Sequence, residues 1–520
     1  MSQPRLLPHL VCSATGAAND NLIKQVFIVA LSGWGLRHGL DREAGEAQGQ
    51  VLTQVASFVF LVPFALAAPL AGSLGDRWPR DRIARWVRWL EIPLVILCAL
   101  AFASDRPGLI FGALALMAVQ SAFFAPAKLA IVPDLVEGKR VPRANGTLQA
   151  VTIVAILLGT GLAMVADPAN TLIGSPFIQV LAAALVLAGI GAVVAFAYPR
   201  LRPAAPQAPI AWTDIFGPLR ALRSAPRLVA PALALGGFWG LAQAAAIQVT
   251  NIGVQIYGLN QAGAAQLSLA LALGIVTGAV AAPRLESRAF PAGLPLIGAF
   301  LAGGTLAASA TVIALAGDLE GTSISPFMAV LFVAGLGAGL WEIPLMNLLL
   351  QRAPAEKRTQ VMAGSGLIGT LAMLGTLLVC MPMAGILKLN AATILAVIAW
   401  VAVALALGVA WSFRHQFGAW CITCATRLIY PTTASGLEHL PTEGGCVVIC
   451  NHLSFADGLI LGSHLPRPAR YLVYRAYLQT PVVGWILRIA GAIPIAATDG
   501  RRALAESIEA AVDAARRGEV

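Results

Sequence analysis

The sequence predicts an all-α membrane bundle, 12 transmembrane helices in two six-helix halves, followed by a partial α/β domain. Three observations predict it. Of 520 residues, 58% are hydrophobic and only 12% charged, and mean hydropathy is +0.78. A soluble domain carries about 25% charged residues, so lipid must solvate most of this chain. Apolar windows of about 20 residues recur about twelve times before residue 412. After residue 437 the pattern changes to short apolar runs alternating with helical ones, which implies a mostly parallel sheet.

The windows fall at residues 10–36, 50–75, 83–103, 108–127, 147–167, 175–198, 229–257, 264–284, 291–316, 324–351, 360–386 and 390–412. The first carries Asn19-Asp20-Asn21 and, one turn later, Lys24. A carboxylate inside a membrane helix costs about 2.5–3.5 kcal/mol, so Asp20 is expected to face protein or a watered cavity. Asp20 and Lys24 stand four apart with the acid first, the order in which they pair on one helical face. Two readings follow: the polar wall of a cavity that accepts a charged group, or a structural ion pair that locks helices. Gly335 and Gly339, spaced by four, let helices approach closely. Seven scattered cysteines make no disulfide framework, and the long first segment with polar residues midway is not a cleavable signal peptide.

The net charge of +10 is not gathered into a basic face, so no nucleic-acid partner is expected. The basic residues instead follow the even-numbered windows. Arg77, Arg80, Arg82, Arg85 and Arg88 follow the second; Lys139, Arg140 and Arg143 the fourth; Arg200 to Arg227 the sixth; Arg284 and Arg288 the eighth; Arg352, Lys357 and Arg358 the tenth. Arg37, Arg42, Arg106 and Lys388 alone follow odd windows. By the positive-inside rule, the even loops and both termini face the cytoplasm. The Pro-, Ala- and Arg-rich stretch from Tyr198 to Arg227 splits the windows six and six.

Between the second and third windows lies Gly72-Ser73-Leu74-Gly75-Asp76-Arg77-Trp78-Pro79-Arg80-Asp81-Arg82. An Asp and several Arg on a tight turn can form ion pairs that break and reform as two halves rock, which marks Asp76, Arg77 and Arg80 as gating candidates. The alternative is an ordinary anchor loop. Glu342, between Trp341 and Ile343-Pro344 in the tenth window, is a gating or ion-pair candidate, or else faces the cytoplasm. Lys128, at the end of the fourth window, either holds a phosphate or snorkels to the interface. This layout and the loop sequence resemble the major facilitator superfamily, whose plan is two six-helix halves joined by a cytoplasmic linker.

The domain plan is therefore a first half over residues 1–199, a linker over 200–228, a second half over 229–412, an interfacial helix over 413–436, and the start of an α/β domain over 437–520. Cys421 and Cys424 form a lone C-x-x-C on the interfacial segment, without the second pair or histidines that metal binding needs. Strands are predicted at Val447–Cys450, Tyr471–Tyr474 and Ala492–Ala496, and helices over Ser454–His464, Pro481–Ala490 and Arg502–Arg517. Directly after the first strand comes Asn451-His452-Leu453-Ser454-Phe455-Ala456-Asp457-Gly458. A carboxylate one turn from an imidazole fixes its tautomer and leaves the other nitrogen as a general base, so His452 and Asp457 are the catalytic candidates. The substrate's own hydroxyl is then the nucleophile.

That motif resembles the first motif of the glycerolipid acyltransferases, with Gly491-Ala492-Ile493-Pro494-Ile495 at the place of their second. Two departures stand out. Ala496-Ala497 replace the usual Asp-Arg after the second motif, with Asp499 and Arg501 slightly later, and no Phe-Pro-Glu-Gly third motif follows before Val520. The expectation is a partial domain that does not acylate unaided.

The bundle resembles the lysophospholipid transporter family. The resemblance is carried by Asn19-Asp20-Asn21, Ala125-Pro126-Ala127-Lys128, Arg143-Ala144-Asn145-Gly146, Ala155-Ile156-Leu157-Leu158-Gly159, Phe238-Trp239-Gly240, and Ile343-Pro344-Leu345 with Asn347 and Gln351. Members carry an arginine shortly after Phe-Trp-Gly, where this chain offers Gln243 and Gln248. The resemblance implies inward movement of lysophosphatidylethanolamine-like lipids across a bacterial inner membrane for reacylation. It implies no tightly bound cofactor, an acyl donor that is an acyl carrier protein or CoA thioester, and partnership with acyl carrier protein and its synthetase domain. The expected cavity residues are Asn19, Asp20, Asn21, Lys24, Lys128, Gln243 and Gln248. Two rivals are an exporter of another amphiphile or drug, and an acyltransferase that the bundle merely anchors.

Overall fold

A computed structural model describes Leu6–Gly518 apart from residues 164–174, 209, 211–215, 286–292, 413, 442–443, 452, 455, 466–468 and 490. Its contacts divide the chain into two units, Met1–Arg284 with Ile297–Val403, and Leu285–Leu296 with Ala404–Val520. Among the described residues, twelve long helices follow one another from Leu7 to Ser412. They are α1 (Leu7–Ser32), α2 (Arg42–Arg77), α3 (Arg80–Ala103), α4 (Pro107–Ala130), α5 (Val141–Ala163), α6 (Ser175–Val194), α7 (Val229–Gln255), α8 (Gln261–Leu285), α9 (Gly293–Ala316), α10 (Ser325–Arg352), α11 (Arg358–Gly385) and α12 (Ala391–Ser412). Among the described residues, 11 of them are long and apolar enough to cross a membrane. The twelfth is α1, of 26 residues, whose polar turn around Asp20 and Lys24 lowers its hydropathy.

Lipid is the natural solvent for the outer faces: Leu100, Leu158 and Leu378 are each more than half exposed. Inside the first half, Leu22, Phe27 and Leu31 of α1 pack with Val95 of α3 and with Ile110 and Leu114 of α4. In the second half, α8 and α10 meet backbone to backbone. A Cβ on Gly339 would lie 2.6 Å from the amide nitrogen of Ala279, and one on Gly335 would strike the Leu271 carbonyl. Close approach through small residues is how helices hold together in lipid, where apolar burial gives little preference.

Helix boundaries exceed the apolar windows where capping extends them. The α2 helix starts at Arg42 because the Asp41 carboxylate accepts from the Ala44 amide at 2.8 Å. The α3 helix starts at Arg80, which corrects one sequence expectation: Arg85 and Arg88 are helical, and Arg88 is 2% exposed rather than a loop charge.

The second unit continues from α12 into α13 (Arg414–Ile429) and then α14 (Asp457–His464), β1 (Leu472–Tyr474), α15 (Pro481–Ile489), β2 (Ile493–Ile495) and α16 (Arg501–Arg516). The two strands pair in parallel, with Leu472 opposite Ile493 and Tyr474 opposite Ile495. Ser507 on α16 donates to the Pro494 carbonyl at 2.7 Å, and Arg427 on α13 donates to the Ser463 carbonyl at 2.7 Å. The strand expected over Val447–Cys450 does not form. Val447 and Ile449 are exposed, and no ladder partner meets them among the described residues. An apolar pattern favours extended backbone, but only a neighbouring strand makes it a sheet.

Candidate substrate site and gate

The α1 helix places one face of polar side chains against α3 and α4. Asp20 accepts a 2.6 Å hydrogen bond from the Ser121 hydroxyl of α4. Beside it, Asn19 donates to the Glu91 carboxylate of α3 at 2.6 Å, and Glu91 forms a 2.5 Å ion pair with Arg88. Arg88 also donates to Thr15 at 3.1 Å. Glycine at positions 16 and 191 leaves room for the guanidinium, since a Cβ on either would collide with it. Asn21 bonds the Ala17 carbonyl of its own helix at 2.8 Å.

The Asp20–Lys24 pair suggested by spacing does not form. Lys24 instead lies over the Phe60 ring of α2, 4.8 Å from its centroid. Facing α4 offers Asp20 a nearer hydroxyl, so the acid and the amine, though on one helix, take partners on different neighbours.

A second set of polar groups lies where the two halves meet. Asn145 of α5 donates to Asn347 of α10 at 2.9 Å, and Gln149 of α5 donates to Glu342 of α10 at 3.4 Å. Glu342 is 4% exposed, and among the described residues it forms no ion pair. Lys128 of α4 is in electrostatic reach of both Asp20 and Glu342. Gln248 is buried on α7 and accepts from Asn251 of the same helix at 3.4 Å. Gln243 is half-buried on α7. No hydrogen bond joins either glutamine to Asp20, Lys24 or Lys128 among the described residues.

Near the ends of α2 and α11 the halves are latched. The buried Asp76 carboxylate accepts from the amides of Thr359 and Gln360 at 2.8 and 3.1 Å, the first turn of α11, where a negative charge suits the helix dipole. Arg80 pairs with Asp76 at 3.1 Å and with Asp134 at 2.6 Å, and donates to the Thr359 hydroxyl at 3.0 Å. Arg358 of α11 reaches Asp134 at 3.2 Å. Arg77 makes a different contact, donating to the Ala208 carbonyl of the linker at 3.2 Å, while the Ala205 amide donates to the Asp76 carbonyl. The short linker helix Gly217–Arg223 packs on α11, with Pro218 close to Gly364.

An apolar cavity of about 440 Å³ opens between α2 and α4, lined by Pro63, Leu66, Pro69 and Leu70 on one side and Val119 and Phe123 on the other. The same helix α4 thus contributes Ser121 and Lys128 to polar contacts and two apolar side chains to this cavity.

Residues 24–375 match the Major Facilitator Superfamily model. The chain belongs to the Major Facilitator Superfamily. Among its relatives in the superfamily are proteins called lysophospholipid transporter LplT from Escherichia coli strain K12 / DH10B and from Shigella boydii serotype 18. Each is 30% identical over 311 residues, covering 57% of this chain and 71% of the relative. At that identity and coverage the chain shares their family. The fold also matches the human organic anion transporter MFSD10, with TM-score 0.62, 16% identity and coverage of 78% of this chain and all of that one. The Escherichia coli fucose:proton symporter FucP matches with TM-score 0.57, 14% identity, and coverage of 78% and 98%. Residues 432–520 match the acyltransferase family model.

In that acyltransferase segment, the Asp457 carboxylate accepts from the amides of Leu453 and Ser454 at 2.5 and 2.7 Å. It therefore shapes the turn over Leu453 and Ser454, while His452 lies outside the described residues. Asp499 forms a two-pronged pair with Arg475, at 2.9 and 2.8 Å, and accepts from the Ala496 amide at 2.8 Å. The hydrogen bond from Arg475 holds its carboxyl below the usual carboxylate range.

By sequence, Arg88 and Arg358 count only as loop charges, and Glu91, Ser121 and Asp134 are not singled out. The signal for pairing Arg88 with Glu91 was present: an Arg and a Glu three apart in an apolar helix share a face and balance in charge. For Ser121 and Asp134 nothing local distinguishes them, because their partners lie on other helices.

Proposed function

We propose that the chain is a lysophospholipid transporter of a bacterial inner membrane, delivering its substrate to the cytoplasmic leaflet for reacylation. The observation that carries this reading is a set of interior charges, Lys24 and Lys128 in the first half-bundle and Glu342 in the second, without ion-pair partners among the described residues, together with an apolar cavity in the first half-bundle. An amphiphile needs both: charge for its head and an apolar wall for its single chain. The relatives called lysophospholipid transporters support the choice of amphiphile.

In this reading Asp20, held by Ser121, and Lys128 receive the polar head, and the space between α2 and α4 takes acyl carbons. About 25 cal/mol per Å² of apolar area favours seating that chain out of water, although a lipid tail starts from an apolar solvent and gains less. Binding biases the rocking of the halves by breaking the Asp76–α11 and Asn145–Asn347 contacts at one end. By the excess of basic loops at that end, it faces the cytoplasm. The acyltransferase segment, with His452 as general base and Asp457 beside it in the motif, draws acyl groups from an acyl-carrier-protein or CoA thioester.

Reconstitution tests the reading. The purified chain in proteoliposomes moves labelled lysophospholipid, Asp20→Asn slows movement at least about tenfold, and removal of residues 413–520 leaves it intact. Unchanged flux in Asp20→Asn removes Asp20 from the site. Absence of flux in the parent chain, with binding retained only by the acyltransferase segment, replaces transport by anchoring.

A further inference from the structure

The linker between the halves is fastened at both of its ends, to different halves. Its first part is bonded to the turn between α2 and α3. Arg85 donates to the carbonyls of Ala195 and Tyr198 at 3.3 and 3.1 Å, and Asp81 accepts from the Leu201 amide at 3.1 Å. The Asp76 carbonyl accepts from the Ala205 amide at 2.8 Å, and Arg77 donates to the Ala208 carbonyl at 3.2 Å. Ten residues beyond Ala208, at Pro218, the chain is seated on the second half. In the helix Gly217–Arg223, Pro218, Ala221 and Leu222 are buried. Gly364 of α11 makes room for it, since a Cβ there would lie 2.6 Å from the Pro218 carbonyl oxygen and 3.6 Å from the Leu222 Cβ. A turn over Pro226–Leu228, with Leu228 buried, then leads into α7. Ten residues reach about 35 Å when extended, so the length of the linker does not tie the halves together. Packing does.

Leu219, on the same short helix, packs with Ala65 on a cluster made by Ala68 of α2 and by Ala363 and Leu367 of α11. The seam it meets is lined by small residues. A Cβ on Gly72 of α2 would lie 2.9 Å from the Ala363 Cβ and 3.1 Å from the Gln360 Cα. Residues that small let two helices meet closely without interlocking. Leu219 sets a larger apolar side chain across them. We propose that the helix Gly217–Arg223 is a lid carried by α11, whose Leu219 wedges shut the α2–α11 seam and leaves Ala65 and Ala68 when the cytoplasmic ends part. The closeness of Pro218 and Leu222 to Gly364 fixes the lid to α11, so the contact that breaks is the one to α2. Arg220 and Arg223 on this helix are exposed and suit the head-group level of an anionic inner leaflet. Ala65 and Ala68 lie within the stretch of α2, Pro63 to Leu70, that also walls the apolar cavity. Lifting the lid therefore frees the helix against which the acyl chain is seated. What the lid releases rests on the transport reading; the movement of the lid does not.

Cross-linking in the full chain tests the lid. A short thiol-reactive cross-linker joins Leu219→Cys either to Ala68→Cys of α2 or to Leu367→Cys of α11. The parent chain, which has seven cysteines of its own, takes the same reagent as control. In proteoliposomes the link to α2 cuts lysophospholipid movement at least about tenfold, and the link to α11 leaves it within about twofold of the unlinked double variant. Movement that survives the α2 link, an equal loss with the α11 link, or failure of either pair to join overturns the lid while transport stands. A second measurement needs no transport. Leu219→Ala quickens labelling of Ala68→Cys by a water-soluble maleimide at least about threefold, because the closed seam loses its wedge and the open share rises. Unchanged labelling overturns the lid. A parent chain that moves no lipid, with labelling quickened as expected, overturns the transport reading and supports the lid.

Discussion

Removing either partner of the Arg88–Glu91 pair should damage the first half far more than removing both. Arg88 is 2% exposed and Glu91 fully buried, at 2.5 Å from each other, with Asn19 and Thr15 as their further contacts. In Arg88→Met the Glu91 carboxylate keeps, among the described residues, only the Asn19 amide, and in Glu91→Met the guanidinium keeps only Thr15. Stranding one member of such a pair costs about 3–5 kcal/mol, whereas an apolar replacement of both is close to neutral. The double variant Arg88→Met, Glu91→Met should therefore recover more than half of the loss of either single methionine variant. Steric trapping in bicelles measures unfolding free energy directly in a membrane-like solvent and closes the double-mutant cycle. Single losses below about 1 kcal/mol, or a double loss equal to the sum of the singles, refute the reasoning, because either shows that the pair is not a desolvated unit.

Asp76→Asn weakens the latch on α11 by about 1–3 kcal/mol, since a buried charged acceptor with three donors becomes neutral. Spin labels on α2 and α11 should then report a greater share of the state in which those ends separate, and unchanged distances count against the latch. Gly159→Ala forces a Cβ into the Ala18 carbonyl and should lower thermal stability by more than a surface Gly→Ala change, as judged by melting in detergent. In the acyltransferase segment, the lowered carboxyl of Asp499 stabilises the Arg475 turn fully above the ordinary aspartate value of about 3.9 and loses that contribution as pH falls through its folded value. Protease cleavage between β1 and α16 should quicken below about pH 4 in the parent chain and show no such acid step in Asp499→Asn.

The bundle was legible because a bilayer enforces length and polarity on every span. Windows such as 83–103 and 108–127 fall within α3 and α4, with their ends shifted by a few residues where polar turns continue the helix. Charges were less legible. Hydropathy counts Arg88 as a flank of its window, yet one helical turn further along, Glu91 cancels it and both go inside. Spacing on α1 named the polar face correctly as a face but not its partners: Asp20 turns to α4, Lys24 to α2, and Asn21 back to its own helix. Such choices depend on which helices become neighbours, a long-range property that no local pattern states. The strand over Val447–Cys450 failed for a related reason, because β pairing is a contact between segments and not a property of one.

The near-contact of Gly159 with the backbone of Ala18 has a mechanical consequence. With α1 and α5 touching main chain to main chain, and Asn19 and Asp20 seated at that junction, neither helix can slide without dragging the other. The carboxylate then travels as part of a stiff lever instead of swinging on its own, and whatever it grips is carried by the whole arm.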